Sequence, residues 1–219
     1  MLDLNAVKYI DIYCTDDSAA VQKARYENAV SEFTKTFDGS EPEAIFSAPG
    51  RTEVGGNHTD HQHGEVLAAS INKDAIAIAS KRSDDLVNVL AEGFGMTNIE
   101  LTDLDLREEE KGSTAALIRG VLAGLKNRAY VLGGFDAYIT SDVLIGAGLS
   151  SSAAFETLIG TIVSGLFNDM NIDPVEIAKI GQFAENEYFG KPCGLMDQMA
   201  CSVGSLVHID FDNPAEPVV

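Results

Sequence analysis

The segment Ile145–Phe167, IGAGLSSSAAFETLIGTIVSGLF, constrains the fold more than any other stretch of the chain. A small-residue loop containing Gly146, Ala147, Gly148 and Leu149 runs into Ser150, Ser151 and Ser152. Beyond the serines, Phe155, Leu158, Ile159, Ile162, Val163, Leu166 and Phe167 keep the i, i+3, i+4 spacing of a helix apolar enough to be buried. The serines admit two readings. Serine is a preferred N-cap, and glycine-rich loops commonly lead into helices. Equally, the glycines let the loop wrap closely round a ligand, and the free N–H groups of a helix start make an anion cradle. Serine hydroxyls there can donate to phosphate oxygens or coordinate a hard cation such as Mg²⁺. The loop is not a GxxxxGK[ST] P-loop, because no lysine follows the glycines, and the GxGxxG pattern fails at Ser151.

The surrounding chain reads as α+β. Tyr26, Val30, Phe33 and Phe37 recur at helical spacing between Ser18 and Phe37, and the sequence DGSEPE stops that helix. AIFSAPGR reads as a short strand entering a turn, and the runs EVLAASI, DAIAIAS, LVNVLAE and NIELTDL predict a mostly antiparallel sheet. Ser113 caps a helix carrying Leu117, Ile118, Val121, Leu122 and Leu125, after which GFDAYITSDV returns as a strand. Asp173, Pro174 and Glu176 supply a cap, a first-turn proline and an acid for a helix running to about Tyr188, and SLVHIDF closes the order as a strand. That order of α, several β, α, β, α, α, β is not a βαβ alternation.

Charge narrows the function classes. Fifteen basic against 34 acidic residues give a formal charge of −19, which repels nucleic acid and anionic membranes, so neither is an expected partner. An anionic ligand has to be held by local donors against that field. Cys14, Cys193 and Cys201 form no even set and no paired metal spacing, so no disulfide framework is expected. The N-terminus has no signal-peptide pattern, and no stretch approaches the roughly 18 apolar residues of a membrane span. The expected location is the cytoplasm.

Two further segments sharpen the first. APGRTEVGGNHTDHQHG, Ala48 to Gly64, resembles the sugar-binding signature of galactokinases, close to GRxNxIGEHTDY. GAGLSSSAA resembles the nucleotide loop of the GHMP kinases, the wider group that joins galactokinase with homoserine, mevalonate and phosphomevalonate kinases. CGLMDQ, Cys193 to Gln198, resembles the galactokinase segment CGIMDQ. The three motifs stand in family order, and the resemblance runs from about Phe46 to Ile209. It implies a GHMP kinase N-terminal domain over residues 1–219, a mixed, mainly antiparallel sheet packed with helices, with the sugar signature at 46–64, the ATP loop at 146–152 and the catalytic segment at 193–198.

The resemblance also assigns roles. Asp197 matches the catalytic base, and Arg51 the arginine that stabilises the transferred phosphoryl group. Phosphoryl transfer asks mainly for positioning and charge stabilisation, which an Asp, an Arg and Mg²⁺ can supply. Gly146, Ala147, Gly148, Leu149, Ser150, Ser151 and Ser152 match the ATP-binding loop. Ser152 and Glu185 match the Mg²⁺ ligands, with Glu187 a neighbouring acid on a more exposed face. Asn57, His58, Thr59, Asp60 and Gly194 fall at sugar-binding positions. Read without the family, Asp197 is either a turn aspartate or a carboxylate that orients a hydroxyl, Arg51 either a surface ion-pair partner or a phosphoryl contact, and Glu185, at the edge of the apolar face of Ile177, Ile180, Ala184 and Tyr188, either a solvated acid or one that looks inward.

Two departures stand out. Asn57 stands where the family has glutamate, Glu53 where it has asparagine, and His61 where it has tyrosine. A carboxylate only accepts hydrogen bonds whereas an amide also donates, so a mismatch could move specificity by roughly ten- to a hundredfold. A zinc site from His58, His61 and His63 competes, without a clear fourth ligand. Galactokinases also run to nearly twice this length, with a C-terminal domain that the reading treats as missing from an N-terminal fragment, so the chain by itself is expected to turn over poorly. The expected function is ATP-dependent phosphorylation of the anomeric hydroxyl of galactose. Its rivals are a same-fold kinase for another sugar and a sugar- and ATP-binding sensor without turnover, against which the intact serines speak.

Overall fold

The structure, a computed structural model, describes residues 2–57, 59–213 and 216–219; the side chains of Asp60 and His61 lie outside the described set. In chain order, α1 (Tyr9–Tyr13) and α2 (Asp16–Thr36) precede β1 (Ala44–Gly55), β2 (Glu65–Lys81), β3 (Leu86–Ala91) and β4 (Gly95–Glu100). Then follow α3 (Thr114–Asn127), β5 (Phe135–Ser141), α4 (Ser151–Phe167) and α5 (Pro174–Phe183), which continues as a π-helical turn over Ala184–Phe189. The helix α6 (Met196–Val203) and the strand β6 (Leu206–Asp210) complete the order.

Alternation along β2 sets the layers. Ile76 and Ile78 share a core with Tyr138 and with Tyr26, Ala29 and Phe33 of α2. Ala75, Ala77 and Ala79 belong to the larger core on the opposite face, with Ile118 and Leu122 of α3 and Leu158, Ile159 and Ile162 of α4. Successive side chains of a strand point to opposite faces, so this Ala/Ile register needs helices on both sides. The small alanines let α4 approach, and each fully buried Leu or Ile contributes about 1.5–3 kcal/mol. The sheet runs β1-β2-β5-β3-β4, with β6 also on β2. Among the described residues only β3 and β5 pair in parallel, so the sheet is mixed and mainly antiparallel, as expected.

A smaller core positions the site. Met196, Met199 and Ala200 of α6 pack with Val66 and Ala68 of β2, with Val207 and Ile209 of β6, and with Leu195 and Phe211. Cys201 of α6 meets Ala153 and Ala154 of α4 together with Val143. These contacts dock the start of α6 beside the start of α4.

Several expectations change. APGR is not a strand ending in a turn: β1 continues to Gly55, and its register shifts between Pro49, opposite Asp74, and Arg51, opposite Ser70. Proline has no N–H for the ladder, and an irregularity there re-aims the next side chain. EVLAASI and DAIAIAS are one strand. The helix expected from Ser18 begins at Asp16, where the Thr15 hydroxyl accepts the Ser18 N–H at 3.2 Å. The helix from Pro174 keeps its α geometry only to Phe183 before widening. Asp197 is not in a turn but in the first turn of α6. Among the described residues, no helix is long and apolar enough to cross a membrane.

Candidate functional site

Asp197 is the focus of the site. Its Oδ1 accepts from Arg51 Nε at 2.7 Å, and its Oδ2 accepts from the Ser150 hydroxyl at 2.7 Å. Arg51 is 8% exposed and is no ordinary surface ion-pair partner. Its Nη1 donates to Gly148 O at 2.7 Å, and its N–H donates to Leu149 O at 3.2 Å. The glycine before it is required for packing: a Cβ on Gly50 would lie 2.8 Å from Leu149 O and against Val143. Strand β1 and the glycine–serine loop therefore meet backbone to backbone.

The loop forms as its glycines demand. Gly146 and Gly148 take φ of +74° and +71° with open space around them, so conformation rather than room selects glycine. Ser150 adopts a left-handed conformation, φ 60° and ψ 55°, and makes no side-chain cap. The capping reading of the serines fails, since the Ser150 hydroxyl is turned to Asp197. The first intrahelical bond of α4 joins Ala154 N–H to Ser150 O at 3.0 Å. The N–H groups of Ser151, Ser152 and Ala153 therefore point out of the helix start toward the exposed loop.

Glu185 is buried, 3% exposed, whereas Glu187 is exposed. It lies in the π-helical turn, against which α3 packs so closely that a Cβ on Gly120 would come 2.8 Å from Ala184. Glu185 Oε1 accepts from the Ser152 hydroxyl at 3.0 Å and from Lys191 Nζ at 3.2 Å. Its Oε2 accepts from Gln198 Nε2 at 2.8 Å, and the same amide nitrogen donates to Glu156 Oε2 at 3.1 Å. Glu156 is fully buried. Burial, and next the nearby Glu185, push its carboxyl well above the usual range. The same two causes, in the same order, raise the Cys193 thiol to about 12.

Sequence reasoning missed Glu156, Gln198 and Lys191. Glu156 left a usable signal, as an acid set in a helix otherwise apolar on nearly every face. Gln198 stood inside the quoted CGLMDQ segment without a role of its own, and Lys191 carried no signal, because only the fold brings them to Glu185.

The Mg²⁺ expectation meets a suitable donor pair. Ser152 and Glu185 place a neutral and an anionic oxygen 3.0 Å apart at the helix start. Among the described residues, no group of three or more His, Cys, Asp or Glu could hold a metal ion. The pair fits a cation that takes one carboxylate and fills its remaining positions with water and phosphate, as Mg²⁺ does.

The sugar-signature residues are only partly brought together. Asn57 has φ 58°, a left-handed value that asparagine tolerates, and its N–H donates to Glu53 Oε1 at 2.6 Å. Two of the three residues that depart from the family signature thus touch each other. The Thr59 hydroxyl donates to Glu65 O at 3.3 Å. Gly194 lies half-buried in the segment leading into α6. His58 lies outside the described residues, as do the side chains of Asp60 and His61. Of the histidines of the zinc alternative, His63 places Nδ1 2.9 Å from Asp212 O. A hollow of about 410 Å³ beside Ser80, near the far end of β2, is lined by Leu2, Glu41, Pro42 and Glu43, and it lies apart from all these groups.

Two family models match the chain. The GHMP kinases N-terminal domain matches residues 116–205, and the galactokinase galactose-binding signature matches residues 31–81. The chain carries a GHMP kinase N-terminal domain. Galactokinases of Clostridium tetani and Bacillus subtilis are each 34% identical to this chain, over 79% and 80% of it and over 44% and 45% of their own lengths. The crystal structure of Lactococcus lactis galactokinase complexed with galactose superposes with a TM-score of 0.78 at 26% identity, covering 89% of this chain and 51% of that one. Methanococcus jannaschii mevalonate kinase, at 19% identity and a TM-score of 0.65, shares the fold. The chain spans about half the length of the curated relatives it matches.

Proposed function

We propose that this chain carries the phosphoryl-transfer site of an ATP-dependent sugar kinase of the galactokinase type, acting on the anomeric hydroxyl of galactose. The observation that carries the reading is the double hold on Asp197, by Arg51 and Ser150, at the open start of α4. Support for galactose comes from the match of residues 31–81 to the galactose-binding signature and from the likeness to galactokinases.

Each group has a task in that reaction. The backbone N–H groups at the start of α4, with the Ser151 and Ser152 hydroxyls, hold phosphate oxygens of ATP. Asp197 orients the acceptor hydroxyl and takes up its proton as the oxygen attacks the γ-phosphorus, while the bond from that phosphorus to the β–γ bridging oxygen breaks and ADP leaves with its electron pair. Arg51 stands beside Asp197 with its backbone tied to the loop, and it offsets charge on the transferring oxygens. Ser152 and Glu185 would hold Mg²⁺, which when bound neutralises phosphate charge. Gln198 fixes the orientation of Glu185, and Glu156 anchors that amide. The Glu53–Asn57 contact supports a second reading, in which the same site serves a sugar differing from galactose at the hydroxyl read there.

A coupled ADP-release assay across a panel of hexoses tests the proposal. Galactose should drive turnover, and Asp197→Asn should lower it by about a hundredfold or more. Undiminished turnover by the variant, or ADP release indifferent to every sugar, would overturn it.

A further inference from the structure

The glycine–serine loop contains no lysine, yet the fold brings one to its helix from elsewhere. Gly190, with φ +80°, turns the chain out of the π-helical segment, and Lys191 N–H donates back to Glu185 O at 3.1 Å. The Lys191 ammonium then reaches Glu185 Oε1 at 3.2 Å, the same oxygen that accepts the Ser152 hydroxyl at 3.0 Å. The cation therefore stands two hydrogen-bond lengths from the first turn of α4.

We infer that Lys191 is a phosphate-binding residue, supplying from the segment before α6 the ammonium that the loop itself lacks. This deepens the proposed nucleotide site and rests on that reading.

Charge argues for it. The chain carries −19 overall, and the site gathers Asp197 and Glu185 as carboxylates. A polyphosphate entering there needs local cations, and Arg51 is already engaged by Asp197 and Gly148 O. Lys191 differs from a fixed structural charge, since its side chain is 65% exposed whereas that of Glu185 is 3% exposed. The carboxylate is locked by Gln198 and Ser152, while the lysine head is free to pivot on its stem onto an arriving anion.

Titration of the purified chain with ATP and with adenosine, both in EDTA, tests this. Lys191→Met should weaken ATP binding by about tenfold or more and leave adenosine binding unchanged, because the lost interaction is a charge-assisted bond to phosphate. Lys191→Arg should restore most of the ATP affinity. ATP binding unaffected by Lys191→Met would overturn the inference, as would equal losses for ATP and adenosine, which would mark the lysine as merely structural. Failure of the wild-type chain to bind ATP at all would defeat the nucleotide-site reading and this inference with it.

Discussion

Ser150 shows how one residue can be placed for chemistry at a cost to the fold. A non-glycine residue at φ 60° is strained, and its hydroxyl makes no cap to offset that strain. The hydroxyl is spent on Asp197 instead. Replacing Ser150 with glycine should therefore stabilise the protein by about 0.5–1 kcal/mol while removing a donor that orients the Asp197 carboxylate. The denaturation midpoint should rise and sugar-dependent turnover should fall. By contrast, Ser113 is a true cap, accepting the Ala116 N–H at 3.3 Å, and Ser113→Ala should cost about 1 kcal/mol. If both substitutions destabilise alike, Ser150 is a cap after all.

At the scale of elements, legibility in the sequence followed the strength of local signals. The helices α3 and α4 carry long apolar periodicities, and Ser113 and Asp173 sit at the caps that their side chains announce. The Ala/Ile alternation of β2 was equally plain, although its division in two was not real. What escaped was decided by tertiary contact. The run of β1 through Pro49 and Gly50 depends on its pairing with β2 and on the approach of Leu149. Helix α6 is eight residues long, too short to stand out, and it exists because Met196, Met199 and Ala200 have a core to fill. Glu185 was found through the family spacing, and the π-helical turn that buries it left no pattern.

The segment between β4 and α3 offers a test at the same scale. Arg119, 2% exposed, donates to both oxygens of Glu110 at 2.8 Å and to Asp103 O, pinning that segment to α3. The hydrogen bonds from Arg119 hold the Glu110 carboxyl below its ordinary value of 4.5. A depressed folded pKa gives stability that is full above 4.5 and is lost as pH falls through the folded value. Glu110→Gln leaves Arg119 buried without its counter-charge, so it should destabilise by about 2–4 kcal/mol at pH 7. The difference from wild type should shrink toward zero near the acid limit. Urea unfolding at several pH values would show a pH-independent difference if the pair contributed no charge coupling.

Across the whole molecule, three segments distant in sequence, around Arg51, Ser150 and Asp197, meet at one place on a sheet covered by helices. On the proposed reading an anionic nucleotide would enter against an overall charge of −19, so its affinity would come from that local cluster of donors. Hydrogen–deuterium exchange of the chain, with and without saturating Mg·ATP and galactose, asks directly whether the cluster is where both ligands sit, whatever the turnover rate. Protection should rise together at 146–152, at 193–198 and at 51–64, with the far end of β2 near Ser80 unchanged. Protection confined to other surfaces, or none in the presence of both ligands, would contradict the assignment.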